Sequence, residues 1–221
     1  MIIVIDGPAG SGKSSTAKAI ANSLHIQFLD SGALYRALTY LWLRRGKPDK
    51  AEFFENLSEI ELQTDYSNQV FHVQANGENI TDKIRLQEVA NHVSEIASDP
   101  RSRSFVNGYM KKLVAQGVFV ADGRDLGTAV FPDAELKFYM DASLDERAAR
   151  RFKEIEGTEN DVTLEQVKQN LAERDHKDSN RKSDPLRKAE DAIVVDTSGK
   201  SFEEQLSEML EIIDEELKLK P

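Results

Sequence analysis

Residues 2–24 place a β-branched apolar run, a glycine-rich turn and an amphipathic stretch in immediate succession, and few folds accept that order. Ile2–Ile5 is continuously apolar, the pattern of a strand buried on both faces of a parallel sheet. The turn Gly7-Pro8-Ala9-Gly10-Ser11-Gly12 follows at once. Ala17, Ile20, Ala21 and Leu24 then recur at i, i+3, i+4 and i+7, one face of a helix. Strand, turn and helix in that order open a βαβ unit.

The same rhythm continues. Further core-strand patterns lie at Ile26–Leu29, Val118–Ala121, Leu136–Met140 and Ile193–Val195. Helical patterns lie at Leu34–Leu43, Ser102–Gln116, Leu144–Ile155 and Leu164–His176. The last segment puts Phe202, Leu206, Met209, Leu210, Ile213 and Leu217 on one stripe, and the charged end from Glu215 to Pro221 is expected to fray. Alternating strands and helices imply a parallel sheet with helices on both faces. One region breaks the rhythm: short alternating runs around Tyr66 and Phe71, with Asn76-Gly77 after them, predict an antiparallel hairpin insert. The polar stretch Glu154–Asp161 reads as a flap or a surface loop.

With 221 residues, the chain suits one α/β domain carrying inserts. The net charge of −10 argues against a nucleic-acid partner. The absence of cysteine excludes disulfides and thiolate chemistry. No apolar run approaches the ~20 residues needed to span a bilayer, and no leader pattern precedes the first strand, so a cytoplasmic location is the expectation. His25, His72, His92 and His176 form no acid–base or ligand pattern.

Gly7-x4-Gly12-Lys13-Ser14 fits a loop that wraps phosphate. Glycines let backbone N–H groups close around the β-phosphate without a Cβ in the way. The following helix adds its positive dipole end. Lys13 can reach the β- and γ-oxygens as a point charge, and the Ser14 hydroxyl can ligate Mg²⁺. These features assign Gly7 through Ser15, including Pro8, Ala9, Gly10 and Ser11, to ATP binding. Asp122, ending an apolar run, reads either as the partner of that Mg²⁺ or as a turn residue.

Phosphate binding leaves the reaction open. No Asn-Lys-x-Asp motif supports a switch GTPase; nothing in the sequence supports a partner-coupled ATPase, and nothing in it excludes one. A small-molecule kinase needs arginines around its acceptor and movable flanking segments, and this chain has candidates for both. Asp30-Ser31-Gly32-Ala33-Leu34-Tyr35-Arg36 follows the second strand, where open parallel sheets place ligands. Ser31 could equally be a helix cap. Asp122-Gly123-Arg124-Asp125 follows the third strand, and its Arg-Asp pair could be a local ion pair or could hold a phosphate and a base amino group.

The strings GPAGSGKS, DSGALYRALT, Ile84–Ala90, ADGRDLGTAVFPDA and Glu173-Arg174-Asp175 leading to Asn180-Arg181, in this order, resemble the bacterial cytidylate kinases. The resemblance implies a P-loop nucleoside monophosphate kinase fold: a parallel sheet flanked by helices, an acceptor-binding insert at about 60–85 and a helical lid at about 147–165. It implies ATP-dependent phosphorylation of CMP and dCMP by a cytoplasmic monomer, with Mg²⁺. It also implies roles. Ser31 and Asp178, with Arg174 beside them, would hold the sugar, and Tyr35 would line the same site. Arg103, Asp125 and Ser94 would read the cytosine. Arg36, Arg124 and Arg181 would hold the acceptor phosphate, and Arg150 and Arg151 would belong to the lid. Lys13, Arg124, Arg150, Arg151 and Arg181 are the catalytic set on this reading. Ser14 departs from the glycine that many members carry after the loop lysine, and it restores a hydroxyl for the metal.

Overall fold

The structure, a computed structural model, describes residues 1–155 and 162–218. Strand β1 (Ile2–Asp6) is buried along its whole length. Each of its large apolar side chains contributes on the order of 1.5–3 kcal/mol by leaving water. Helix α1 (Lys13–Leu24) follows the glycine-rich turn and ends where His25 takes a left-handed conformation. Strand β2 (Gln27–Asp30) runs directly into α2 (Ser31–Arg44), whose N-cap is the Asp30 carboxylate accepting from the Ala33 N–H at 2.8 Å. Ser31 therefore does not cap this helix; it is the first helical residue, freed for another role.

Helix α3 (Lys50–Glu55), capped by Asp49, leads into a hairpin of β3 (Leu62–Ser67) and β4 (Val70–Ala75), extended by β5 (Glu78–Asn79). The β4–β5 turn is Asn76-Gly77, with φ of 51° and 78°. Positive φ at both central residues matches the twist that a two-residue hairpin turn needs. The β3–β4 turn falls on Asn68 and Gln69, both with positive φ. Helices α4 (Gln87–Ala97) and α5 (Pro100–Val114) come next, the second started by Asp99 and a proline in its first turn.

Strand β6 (Phe119–Asp122) is followed by a π-turn at Leu126–Val130 and then β7 (Leu136–Asp141). Helices α6 (Leu144–Ile155) and α7 (Leu164–Asn180) flank residues 156–161, and a Thr163/Gln166 capping box opens α7. The polar stretch read as a flap thus lies largely outside the described residues, as does the centre of the expected lid. Strand β8 (Ile193–Asp196) and α8 (Phe202–Lys218) close the chain. Glu215–Lys218 are helical, contrary to the expected fraying; residues 219–221 lie outside the description. The buried line of α8 runs through Gln205, Met209 and Ile213, while Phe202 is 41% exposed. Leu206, Leu210 and Leu217 pack partly buried against the same core, as the stripe predicts, and only Phe202 of the six turns outward, while the Gln205 amide is drawn inward, donating to Thr16 Oγ1 at 2.8 Å.

The main sheet has the order β2-β6-β1-β7-β8, parallel throughout. The chain leaves β1 for one side of the sheet and later crosses to the other through β7. The crevice for ligands in such sheets opens where strand order reverses, at the strand C-termini. Asp6, Asp30 and Asp122 end β1, β2 and β6 there, with Asp30 level with Asp122.

Candidate functional site

The glycine-rich loop is shaped by close approach. Gly7 has φ +147°, and a Cβ there would lie 2.1 Å from the Met140 carbonyl oxygen. No side chain fits against that backbone. Gly10 and Gly12 hold φ of +77° and +90°, conformations that turn the loop into the helix start. Lys13 is 4% exposed; its Nζ donates to the Pro8 carbonyl at 2.6 Å and to Ser11 Oγ at 3.2 Å. Burial, with Arg124 next, lowers its ammonium well below the ordinary lysine range.

Ser14 Oγ donates to Asp122 Oδ2. Asp122 Oδ1 is buried without a hydrogen-bond partner among the described residues. Burial first, then the neighbouring Asp30, raises Asp122 to about 6. An orphaned carboxylate oxygen beside a serine hydroxyl at a phosphate loop is the donor set a hard cation takes. The arrangement fits Mg²⁺ held jointly with nucleotide phosphates, since no cluster of three or more His, Cys, Asp or Glu among the described residues could hold a metal.

Two cavities open from this point. One, of about 410 Å³, is lined by Ser31, Tyr35, Asp122, Asp125, Asp178 and Arg181 among others. The other, of about 980 Å³, is lined by Ala9, Gly10, Gly12, Lys13, Ser14, Ser15 and Arg151 among others. Ser14, Arg36, Ser94, Arg124 and Arg174 line both. Arg174 makes no hydrogen bond or ion pair among the described residues, and burial, reinforced by Arg124 and Arg36, lowers its guanidinium to about 10. Among the described residues Arg36 reaches only the Ile84 carbonyl, at 3.4 Å, and burial followed by Arg85 lowers it too. Arginines crowded together with few acidic partners lack the anion that would balance them.

Opposite, Arg124 Nε donates to Asp178 Oδ2 at 3.0 Å, and Arg181 Nη2 donates to Asp125 Oδ1 at 2.5 Å. Arg103, 2% exposed, donates from Nη2 to Asp125 Oδ2 behind the cavity wall. Ser31 Oγ donates to the Asp122 carbonyl at 2.6 Å. Arg150 lines neither cavity: it donates to Thr197 Oγ1 at 2.9 Å and to the Thr197 carbonyl at 2.6 Å. Arg151 pairs with Glu154 at 3.0 Å. Gly7, Pro8 and Ser11 support the loop without lining a cavity.

Sequence reasoning missed several supports. The Asp6 carboxylate accepts from the Leu126 and Gly127 N–H groups at 3.0 and 2.7 Å, tying the start of the phosphate loop to the segment after Asp125. Burial raises Asp6 to about 6. Arg85 donates to Asp30 Oδ2 at 2.8 Å. The backbone of Ala9 is clasped from both sides: its N–H donates to Asp175 Oδ1 at 3.0 Å, and Arg147 Nη1 donates to its carbonyl at 2.8 Å and to Asp175 Oδ2 at 2.5 Å. The Ala9 methyl packs with Ala148, Val167 and Leu171 in a small core of its own. Arg147→Ala is expected to lower stability by about 2–4 kcal/mol in urea melts, because it leaves the Ala9 and Ala142 carbonyls without their donor and the mostly buried Asp175 carboxylate without its counter-charge. A loss under about 0.5 kcal/mol, the ordinary surface value, would reduce the clasp to decoration.

The fold alone is shared with TT1252 from Thermus thermophilus (TM-score 0.51, 18% identity, 98% of this chain and 97% of that one). It is likewise shared with an uncharacterized protein from Eubacterium ventriosum ATCC 27560 (TM-score 0.54, 12% identity, 97% and 98% covered). In sequence, the chain is 42% identical over 214 residues to a bifunctional pantoate ligase/cytidylate kinase of Trichodesmium erythraeum (strain IMS101). That match takes in 96% of this chain and 40% of the relative, so the chain spans about two-fifths of the relative's length. The profile of the family described as Cytidylate kinase matches residues 3–215. With nearly the whole chain inside that match, and the phosphate loop and the arginine-lined cavity facing each other, this chain belongs to the cytidylate kinase family.

Proposed function

We propose that the chain transfers the γ-phosphoryl group of ATP to CMP and dCMP, giving ADP with CDP or dCDP. The observation that carries this is the meeting of two cavities at Ser14, Arg36, Arg124 and Arg174, one floored by the phosphate loop and the other walled by Asp125. ATP fits the first and the acceptor nucleotide the second. The acceptor's nucleophile is already a phosphate oxygen, so no general base is needed; alignment and charge neutralisation supply the rate. Lys13 would swing from Pro8 to the β- and γ-oxygens, while Arg36 and Arg124 gather the acceptor phosphate; Arg181, which the resemblance puts with them, is bonded to Asp125 and Asp184, and Arg174, crowded against Arg36 and Arg124, would take its place. Ser14 and Asp122 would hold Mg²⁺, which when bound neutralises charge on the phosphate oxygens.

Asp125 would accept from the cytosine N4 amino group. Uracil presents a carbonyl there, and two facing acceptors cost about 1–3 kcal/mol. The hairpin around residues 60–85 and the segment 147–165 would be the closing acceptor insert and lid of one domain. No helix among the described residues is long and apolar enough to cross a membrane, and a cytoplasmic monomer is the working form.

A coupled ADP-release assay across CMP, dCMP, UMP, AMP, dTMP and shikimate tests the proposal. Turnover with another acceptor and none with CMP or dCMP would refute it. Asp125→Ala is expected to raise KM for CMP about 10- to 100-fold and to erase the preference over UMP, since it removes the acceptor that only cytosine satisfies. An unchanged CMP-to-UMP ratio would remove Asp125 from base reading.

A further inference from the structure

Behind Asp125 the guanidinium groups of Arg103 and Arg181 close into a ring with a residue that no part of the reaction has yet used. Arg103 donates from Nη2 to Asp125 Oδ2 and from Nε to Asp184 Oδ2 at 2.7 Å. Arg181 donates from Nη2 to Asp125 Oδ1 at 2.5 Å and from Nε to the Asp184 carbonyl at 2.7 Å. The Arg103 guanidinium also lies 5.6 Å from the centre of the Tyr35 ring. We infer that Asp184 is a positioning residue for cytosine recognition, holding Arg103 and Arg181 on Asp125 so that the carboxylate faces the acceptor cavity in one orientation. The inference rests on the reading of this site as a CMP site.

Charge balance is the first support. Arg103, Asp125 and Arg181 are each about nine-tenths buried or more in their side chains. Without Asp184 they would carry two positive charges against the one negative charge of Asp125 in a poorly solvated place, the further carboxylate of Asp178 lying 3.7 Å from Arg181 but bonded to Arg124. Asp184, with its side chain 34% exposed, makes the ring neutral. Removing one member of a buried charge network leaves its partner uncompensated, which is where such networks are costly. Asp125 accepts from both guanidinium groups, and without Asp184 neither guanidinium would be fixed in the orientation from which it does so.

Backbone conformation is the second. Asp184 has φ 47°, in the left-handed region, and precedes Pro185. A proline disfavours helical conformations in the residue before it, and glycine takes left-handed φ with the least strain. The turn alone would therefore be better served by glycine. The aspartate puts both its carboxylate and its carbonyl on arginines, and strain of this kind is found where the surroundings hold a residue for its function. The segment is pinned as well: the Leu186 N–H donates to the Asp178 carbonyl at 2.9 Å.

Glycine at this position makes the test clean, because Asp184→Gly relaxes the backbone while deleting the carboxylate. KM for CMP is expected to rise about 10-fold, with kcat changed less than about 3-fold and KM for ATP within about 2-fold. The preference for CMP over UMP should narrow in step. Asp184→Asn keeps an acceptor but not the charge, so its KM for CMP should rise about 3-fold, and it decides the matter if the glycine variant does not fold. Wild-type KM for CMP in either folded variant overturns the inference. A second measurement needs no substrate. The Arg103 Nε–H resonance of the ligand-free protein should be protected from exchange in the wild type and lose that protection in Asp184→Gly; unchanged protection also overturns the inference. A wild-type chain inert toward CMP would refute the substrate reading, and the resonance would still decide the ring.

Discussion

Lys13→Ala is expected to lower kcat for phosphoryl transfer by about 10²–10³-fold, the cost of removing one preorganised charge from a desolvated site. The fold should survive. Lys13 Nζ is bonded to the Pro8 carbonyl and the Ser11 hydroxyl, not to a carboxylate, and burial disfavours its charged form. Without nucleotide, the lysine is thus a buried cation held mainly by the loop it serves, so truncation removes a desolvation penalty along with two hydrogen bonds. The two effects oppose each other, and the melting temperature should move by only a few degrees. ATP binding should weaken less than kcat falls, because backbone N–H groups and the α1 N-terminus still meet the phosphates. Single-turnover kinetics beside a thermal melt separate these effects. A variant that keeps near-normal turnover takes Lys13 out of the mechanism; one that fails to fold refutes the argument about its burial.

The parts of this site legible in the sequence are those set by local chemistry. Gly7 and Gly10 stand where a backbone passes close to other atoms and Gly12 where φ is positive, and those requirements are written in residue type alone. The five core strands were readable because each is a short apolar run; β1 was placed to within one residue. The hairpin was readable because Asn76-Gly77 suits two positive φ values. What stayed hidden depends on neighbours distant in the chain. Asp6 looks like the end of a strand, yet its work is to bind N–H groups 120 and 121 residues further on. Arg147 and Asp175 look like ordinary charges on amphipathic helices; only the packing of α6 and α7 over Ala9 makes them a clasp. Asp184 has no local signal except its place before Pro185. Arg150 shows the reverse case. Adjacent to Arg151 and alike in type, it is directed by the helical turn toward Thr197, away from both cavities.

Asp122→Asn should separate stability from activity. Asp122 is buried, raised to about 6, and leaves Oδ1 without a partner among the described residues. An acid whose folded pKa lies above its unfolded value of 3.8 stabilises the fold only while protonated. That stabilisation is complete below the unfolded value and is lost as pH rises through about 6. At pH 7.5 the folded protein therefore holds a charge it would be more stable without. The neutral amide is nearly the same size, and it should raise ligand-free stability by about 1–3 kcal/mol, the upper figure being the full shift at 1.36 kcal/mol per pKa unit. The wild type should also melt at a higher temperature near pH 5 than near pH 7.5, with Asp6 acting in the same direction because it too is raised to about 6. The variant should show roughly half of that pH dependence. Its activity should move the other way: an amide gives the Ser14 site no negative oxygen, so Mg²⁺-dependent turnover should fall about 10²-fold or more. The added stability from ATP with Mg²⁺ over ATP alone should shrink in parallel. A variant less stable than the wild type at pH 7.5 would mean that the Ser14 bond, not the buried charge, governs this residue. A variant with undiminished Mg²⁺-dependent activity would take Asp122 away from the metal.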